Sequence, residues 1–125
     1  MQINRHIYVV GTNTEGRHGM GTARVAQLKH GLMYGFSRGL CGDTYAICTK
    51  DLRIGKRSIP LIDIEAQLAR MFSGYVLVYP RWIYHVPAIG CGLAGYRPEE
   101  IAPMFKEVWD LPNLDLCAEF KAILI

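Results

Sequence analysis

Apolar residues run unbroken through Ile7-Tyr8-Val9-Val10 and stop at Gly11. A short continuous run of this kind predicts a buried strand. Thr44-Tyr45-Ala46-Ile47-Cys48-Thr49 repeats the pattern, and positions 82–89, Trp82 through Ile89, supply a third apolar run rich in β-branched and aromatic residues. Between these runs the spacing changes. From Thr22 it becomes helical, with Ala23, Ala26 and Leu28 on or near one face. Pro60 opens a second helical stretch whose apolar positions Ile64, Leu68, Phe72, Tyr75 and Tyr79 recur every three or four residues. Gly74 weakens it, and 75–79 also reads as a strand. Helix is preferred because it makes a parallel crossover into 82–89.

A last helix begins near Pro98, with Glu99 and Glu100 favourably placed in its first turn and Ile101, Phe105 and Val108 as its buried stripe. Pro103 should kink it or set its first turn apart. Leu111-Pro112-Asn113 turns the chain, and 114–120 reads as a final strand. Glycines 31, 35, 39 and 42 mark an irregular connection that carries Arg38 as a possible ligand contact, and 53–57 is a basic loop expected to be mobile. Alternating strands and helices predict a three-layer α/β/α sandwich in one domain, residues 1–125.

Two junctions stand out from that background. The 82–89 strand breaks into Gly90-Cys91-Gly92-Leu93-Ala94-Gly95 just before the helix at Pro98. Glycines there let backbone amides approach a ligand closely, and amides converging near a helix N-terminus attract anions, phosphate above all. A lone loop of this sort is more often a plain turn. Here Gly16-Arg17-His18-Gly19-Met20-Gly21 is a second one, again between a strand and a helix. Neither loop has the spacing of a P-loop or of a dinucleotide-binding fingerprint.

Composition narrows the partners. Half of the 125 residues are apolar, and no run reaches membrane-spanning length, because Arg81, His85 and several prolines interrupt the best candidate. Residues 1–5 lack the layout of a signal peptide, so a cytoplasmic protein is expected. The net charge of +3 is unevenly spread: residues 1–60 carry nine Lys/Arg against three Asp/Glu, and residues 61–125 carry five against eight. The basic residues are scattered singly, with only Lys56-Arg57 adjacent, which suits a small anionic ligand or a solvated face. No aromatic–basic platform for nucleic acid is evident. Cys41, Cys48, Cys91 and Cys117 form no CxxC pair and read as small buried thiols in a reducing compartment. With His6, His18, His30 and His85 they give no ligand set of recognisable spacing, so no bound metal and no cofactor are expected.

Three segments in this order resemble the macrodomain family of ADP-ribose-binding α/β/α modules. Arg17-His18-Gly19-Met20-Gly21-Thr22-Ala23 is similar to its first glycine-rich loop entering a helix. Tyr45-Ala46-Ile47-Cys48-Thr49-Lys50 is similar to a central strand ending in Thr-Lys, and Ile89-Gly90-Cys91-Gly92-Leu93 to the second, phosphate-cradling loop. The likeness spans Ile7 to about Val108 and is nearest the lysine-dependent hydrolases that release ADP-ribose from glutamate. The pattern also resembles small bacterial and phage proteins, which would place it in a host cytoplasm if phage-encoded.

The resemblance implies a macrodomain-like mixed sheet with a shortened N-terminus. It implies that the amides of Gly90, Cys91, Gly92, Leu93, Ala94 and Gly95, with Tyr96 beyond them, hold a diphosphate. Gly19, Gly21 and Thr22 would close over it and the distal ribose, and Asn13 would meet a ribose hydroxyl. Thr49 would be a further ligand-binding residue; Arg17 and His18 are either ligand contacts or caps of their loop. The partner implied is an ADP-ribose-like nucleotide or an ADP-ribosylated protein. Three functions follow: binding of ADP-ribose or a related ADP-ribosyl or cyclic nucleotide, ADP-ribosyl hydrolysis through Lys50, or a virion-associated structural role with a vestigial pocket. Catalysis would require an acid beside Lys50. In the hydrolase branch that acid directly follows the Gly-Cys-Gly-Leu motif, where this chain has Ala94.

Overall fold

The computed structural model describes residues 4–125. Strand β1 (His6–Asn13) is followed by helix α1 (Gly21–Lys29), a short strand β2 (Gly39–Cys41) and strand β3 (Thr44–Lys50). Helix α2 (Leu61–Met71) continues into a π turn (Phe72–Val76) before strand β4 (Ile83–Val86). Helix α3 (Pro98–Ile101), a 3-10 turn (Ala102–Phe105), strand β5 (Leu114–Leu116) and helix α4 (Ala118–Leu124) complete the chain. The strands lie in the order β2-β3-β1-β4-β5, and only β2 runs antiparallel to its neighbour. This is the mixed α/β sheet expected.

Side chains alternate across each strand, so the sheet has two unlike faces. Ile7, Val9, Tyr45, Ile47, Tyr84, Val86, Leu114 and Leu116 enter the main core with Ile64, Leu68, Phe105 and Phe120 from the helices. The opposite face has a small separate core, in which Val10 and Ala46 meet Ala23, Ala26, Leu32 and Cys41 under α1. Beyond α1 the outward residues of β1, β4 and β5 are Tyr8, His85 and Asp115, none of them fully buried.

Local chemistry explains where the elements stop and start. Tertiary packing carries the helical pattern through Gly74, so 72–76 coils as a π turn and not as a strand. Pro103 ends the regular turns of α3 after Ile101, as its missing N–H requires. The 114–120 strand is a correction: Leu114 and Leu116 do alternate with Asp115, but pairing ends there and Phe120 is buried from α4. Leu28 is a second correction, pointing to solvent from α1. Cys41 and Cys48 are buried free thiols, whereas Cys91 and Cys117 are only half-buried. Short β2 pairs with residues 44–46 alone, and Gln67 of α2 supplies both bonds at Cys48, accepting from its N–H at 2.7 Å and donating to its carbonyl at 2.8 Å.

The 53–57 loop is tied down at its ends. Asp51 accepts from Arg53, and Arg57 donates its N–H to the Ala94 carbonyl at 2.7 Å. The Arg57 guanidinium also grips Glu100 with two bonds of 2.7 Å, while Glu100 accepts from the Arg97 N–H at 3.1 Å. The Arg57 bonds first, and the Arg97 amide second, hold the Glu100 carboxyl at about 2 against an ordinary 4.5. Because the folded value is the lower one, this contribution to stability is complete above pH 4.5 and is lost as pH falls toward 2. Urea titrations of wild type and Glu100→Gln should therefore differ at pH 7 and converge near pH 2. A constant difference across that range would contradict the assignment.

Candidate functional site

The C-terminal ends of β1, β3 and β4 open onto one cleft of about 420 Å³, within the usual range for small-molecule sites. Crossover connections leave this end of a parallel sheet open, so the loops that follow the strands become its walls. Gly11 permits the convergence: a Cβ there would stand 3.3 Å from Thr49 Oγ1 and 3.8 Å from the Gly90 nitrogen. Thr49 is buried and donates its hydroxyl to the Thr12 carbonyl at 3.2 Å, joining the two strand ends on the cleft floor.

The first loop is held by its own polar residues. Asn13 brackets it, donating Nδ2–H to the Arg17 carbonyl at 2.7 Å and accepting the Arg17 N–H at 3.0 Å. His18 is 3% exposed, and both ring nitrogens are engaged, one with Gln27 Oε1 and one with the Phe36 carbonyl, each at 2.9 Å. Gly16, at φ +64°, lies against Gly35, whose N–H it receives at 2.8 Å. These ties aim the start of α1 into the cleft, where Gly21, Thr22 and Ala23 are part of the wall. The helix has no side-chain cap at Met20 and no acidic residue in its first turn. Its first N–H groups therefore have no side-chain cap among the described residues, and they carry the partial positive charge of the helix start at the cleft wall.

The second loop contributes donors in the same way. The N–H groups of Cys91, Gly95 and Tyr96 are used within the loop, bonding Ala88, Gly92 and Gly90 carbonyls at 3.2, 3.0 and 2.9 Å. Those of Gly90, Gly92, Leu93 and Ala94 donate to no other backbone group among the described residues, and all four residues line the cleft. Gly90, at φ +77°, makes the turn that a residue with a side chain would resist. A Cβ on Gly92 would meet nothing within 4 Å, because its missing side chain points into open space.

Two cations, Arg17 and Lys50, complete the lining, and among the described residues no carboxylate belongs to it. Arg17 lies 3.5 Å from Glu15. Lys50 makes no ion pair or side-chain hydrogen bond with the described residues. Asp51, next along, is buried outside the cleft, where the Arg53 side chain foremost holds its carboxyl below the usual range. Such a cavity, with amides from two loops, two cations and no acid, is suited to an anion.

Of the residues singled out in the sequence, Asn13, Arg17, Gly19, Gly21, Thr22, Thr49, Lys50, Gly90, Gly92, Leu93 and Ala94 come together here. His18, Cys91, Gly95 and Tyr96 are outside the lining. Cys91 points its thiol toward the Ile89 carbonyl at 3.5 Å, where burial pushes it up to about 11. Tyr96 is buried with its hydroxyl donating to the Ile59 carbonyl, and Gly95 faces Lys56. Arg38 is elsewhere, paired with Asp63 at 2.9 Å beside α2. Gly11, Leu52, Pro87 and Ala88 also line the cleft. Gly11 stands out as the stop of the first apolar run, whereas Pro87 ends β4 at Val86, inside the run read as a strand to Ile89.

No protein-family model matches the sequence, and no curated protein matches it. Among solved structures, Thermosipho africanus DarTG in complex with ADP-ribose is similar, with a TM-score of 0.61 at 20% identity. The likeness covers 98% of this chain and 43% of that one, so the chain spans less than half the length of that relative. The fold is macrodomain-like.

Proposed function

We propose that the cleft binds ADP-ribose or a related ADP-ribosyl or cyclic nucleotide through its phosphates. The observation that carries this reading is the meeting of two sets of amides, from the start of α1 and from residues 90–94, around a cavity with cationic but no acidic side chains. A diphosphate held there exchanges hydrated donors for fixed ones, and charge-assisted bonds of that kind are the stronger class. Support for the identity of the nucleotide comes from the similar fold of DarTG, which was solved with ADP-ribose. In this reading Gly90, Gly92, Leu93 and Ala94 cradle the diphosphate, Gly19, Gly21 and Thr22 close over it, and Arg17 and Lys50 balance its charge. Asn13, occupied with Arg17, orders the loop and offers a ribose only its outer edge. Titration calorimetry with ADP-ribose and cyclic nucleotides tests this; absence of binding by all of them would overturn it.

Hydrolysis through Lys50 draws no comparable support. A lysine nucleophile needs a neighbouring group to manage protons, and losing such a group typically removes a factor of about 10²–10⁴ in rate. The cleft has no carboxylate in its lining among the described residues, Asp51 is committed to Arg53, and Glu15 lies with Arg17. Incubation with glutamate-ADP-ribosylated protein should release no ADP-ribose above background over hours, followed by mass spectrometry. Release that disappears in Lys50→Ala would reverse this conclusion.

A further inference from the structure

At the edge of the sheet, where short β2 leaves most of β3 without a partner strand, a hollow of about 260 Å³ opens between β2 and α2. It shares no lining residue with the cleft at the strand ends. Its polar lining is Arg38, Tyr45, Asp63, Gln67 and Arg70. α2 supplies three of these because positions 63, 67 and 70 lie four and three residues apart, on one face of the helix. Two guanidiniums stand against one carboxylate, so the lining keeps one uncompensated positive charge.

The side-chain acceptors of the hollow are already taken. Asp63 Oδ1 accepts from Arg38 Nη1 at 2.9 Å and from Gln67 Nε2 at 3.1 Å, and Oδ2 accepts from Arg38 Nη2 at 3.2 Å. Gln67 Oε1 accepts the Cys48 N–H. The donors are not all taken. Arg70 makes no ion pair with the described residues. Tyr45 is 3% exposed, packs its ring across Tyr75 at 5.2 Å, and bonds its hydroxyl to no described residue. The Tyr84 hydroxyl also lacks a partner but is sealed in the core; that of Tyr45 is not sealed, and Tyr45 lines the hollow. A hydroxyl so placed calls for a partner from outside the chain. Burial foremost, and Tyr75 next, push it above its usual range, so it is protonated and able to donate at neutral pH. The charge on Arg70 opposes that shift, being within electrostatic reach of the hydroxyl.

We propose that this hollow is a second anion site, which receives the carboxylate or phosphate group of a small molecule on the Arg70 guanidinium and the Tyr45 hydroxyl. Free donors, occupied acceptors and a surplus positive charge together select an oxyanion, and a guanidinium fork matches two of its oxygens at once. Asp63 balances Arg38 and leaves Arg70 as the charge that draws the ligand. The hollow is smaller than the roughly 300 Å³ at which sites for drug-sized ligands begin, so it excludes a whole nucleotide. The inference goes beyond the function proposed above and does not depend on it.

The test is an NMR titration of isotope-labelled protein with sodium phosphate and, separately, sodium acetate, at fixed pH and with ionic strength held constant by sodium chloride. At least one of the two anions should shift the amides of Gly39, Ala46 and Cys48 saturably, and the anion with the higher affinity identifies the group recognised. Arg70→Gln, on the exposed side of α2, should weaken that response about tenfold or more, and Tyr45→Phe about threefold. Tyr45→Phe should be no less stable to urea than wild type, because the hydroxyl it removes has no partner in the protein. Gly92→Glu should leave these shifts unchanged, which separates this site from the cleft. Shifts confined to residues 90–94, equal shifts with chloride alone, or unchanged affinity in Arg70→Gln would overturn the inference. A loss of stability in Tyr45→Phe would show the hydroxyl bonded within the protein and would overturn it as well.

Discussion

Gly92→Glu is expected to fold like the wild type and to bind no ADP-ribose. The position is unusual among the glycines of the second loop. Gly90 and Gly95 have positive φ, so a side chain at either strains the backbone and confuses loss of binding with loss of structure. Gly92 lies outside that region, and a Cβ on it meets no heavy atom within 4 Å. The new side chain extends into the cleft, between amides that would otherwise face the phosphates. It acts by volume, and its carboxylate also takes up those donors while repelling the ligand. An affinity loss of 100-fold or more, about 3 kcal/mol, is expected for a displaced charge-assisted network. Calorimetry together with circular dichroism decides the matter. ADP-ribose bound with wild-type affinity by a folded Gly92→Glu would remove the diphosphate from this loop.

Gly16→Ala should show the opposite combination, a large loss of stability from a side chain that never reaches the ligand. Its Cβ would stand 2.2 Å from the Gly35 carbonyl carbon and 2.5 Å from its Cα, inside any permissible contact, and φ is +64°. Both neighbours are backbone, so no rotamer change relieves the overlap. Strain at such a position costs on the order of 1–3 kcal/mol before the clash is added. We expect a total loss of about 3 kcal/mol or more in urea unfolding. Part of it should appear as weaker binding, because the Gly35–Gly16 bond is one of the ties that set the first loop. A variant as stable as wild type would mean that the 16 and 35 segments separate without cost.

Much of this architecture was readable in the chain, for reasons that differ from element to element. β3 is covered on both faces, and β1 is covered on both along Val9 and Val10 with Tyr8 half-buried, so each apolar run is unbroken. α2 was readable because its buried positions recur at helical spacing, strongly enough to carry the pattern past Gly74. The glycine loops were visible because close backbone approach leaves glycine as its only mark. Where the reading failed, the local pattern pointed the wrong way. Leu114, Leu116, Ala118 and Phe120 keep a period of two beyond the point where strand pairing ends, so α4 looked like more strand. Three-residue β2 is too short to show any period. A histidine flanked by arginine and glycine carries no hint that Gln27 and a distant carbonyl will claim both its nitrogens. The grouping of Tyr8, His85 and Asp115 on the open face of the sheet was invisible for a further reason: they come from three strands and become neighbours only through parallel pairing.

The unequal burial on the two sides of the sheet has a consequence for how the molecule breathes. Free energies of local opening follow the apolar contacts that an opening must break. α1 rests on a small cluster of mostly alanine and valine, whereas the second loop is anchored near Ile89, Tyr96 and Ile101 in the main core. Amide hydrogens of α1 should therefore exchange with deuterium through excursions that leave α2, β3 and β4 intact, while those of the main-core elements await global unfolding. The cleft then joins a firm jaw, residues 90–94, to a yielding one, residues 19–23. A ligand held by both must slow exchange in α1 far more than in α2, and the depth of that slowing with ligand concentration measures how much of the binding energy goes into keeping the yielding jaw closed.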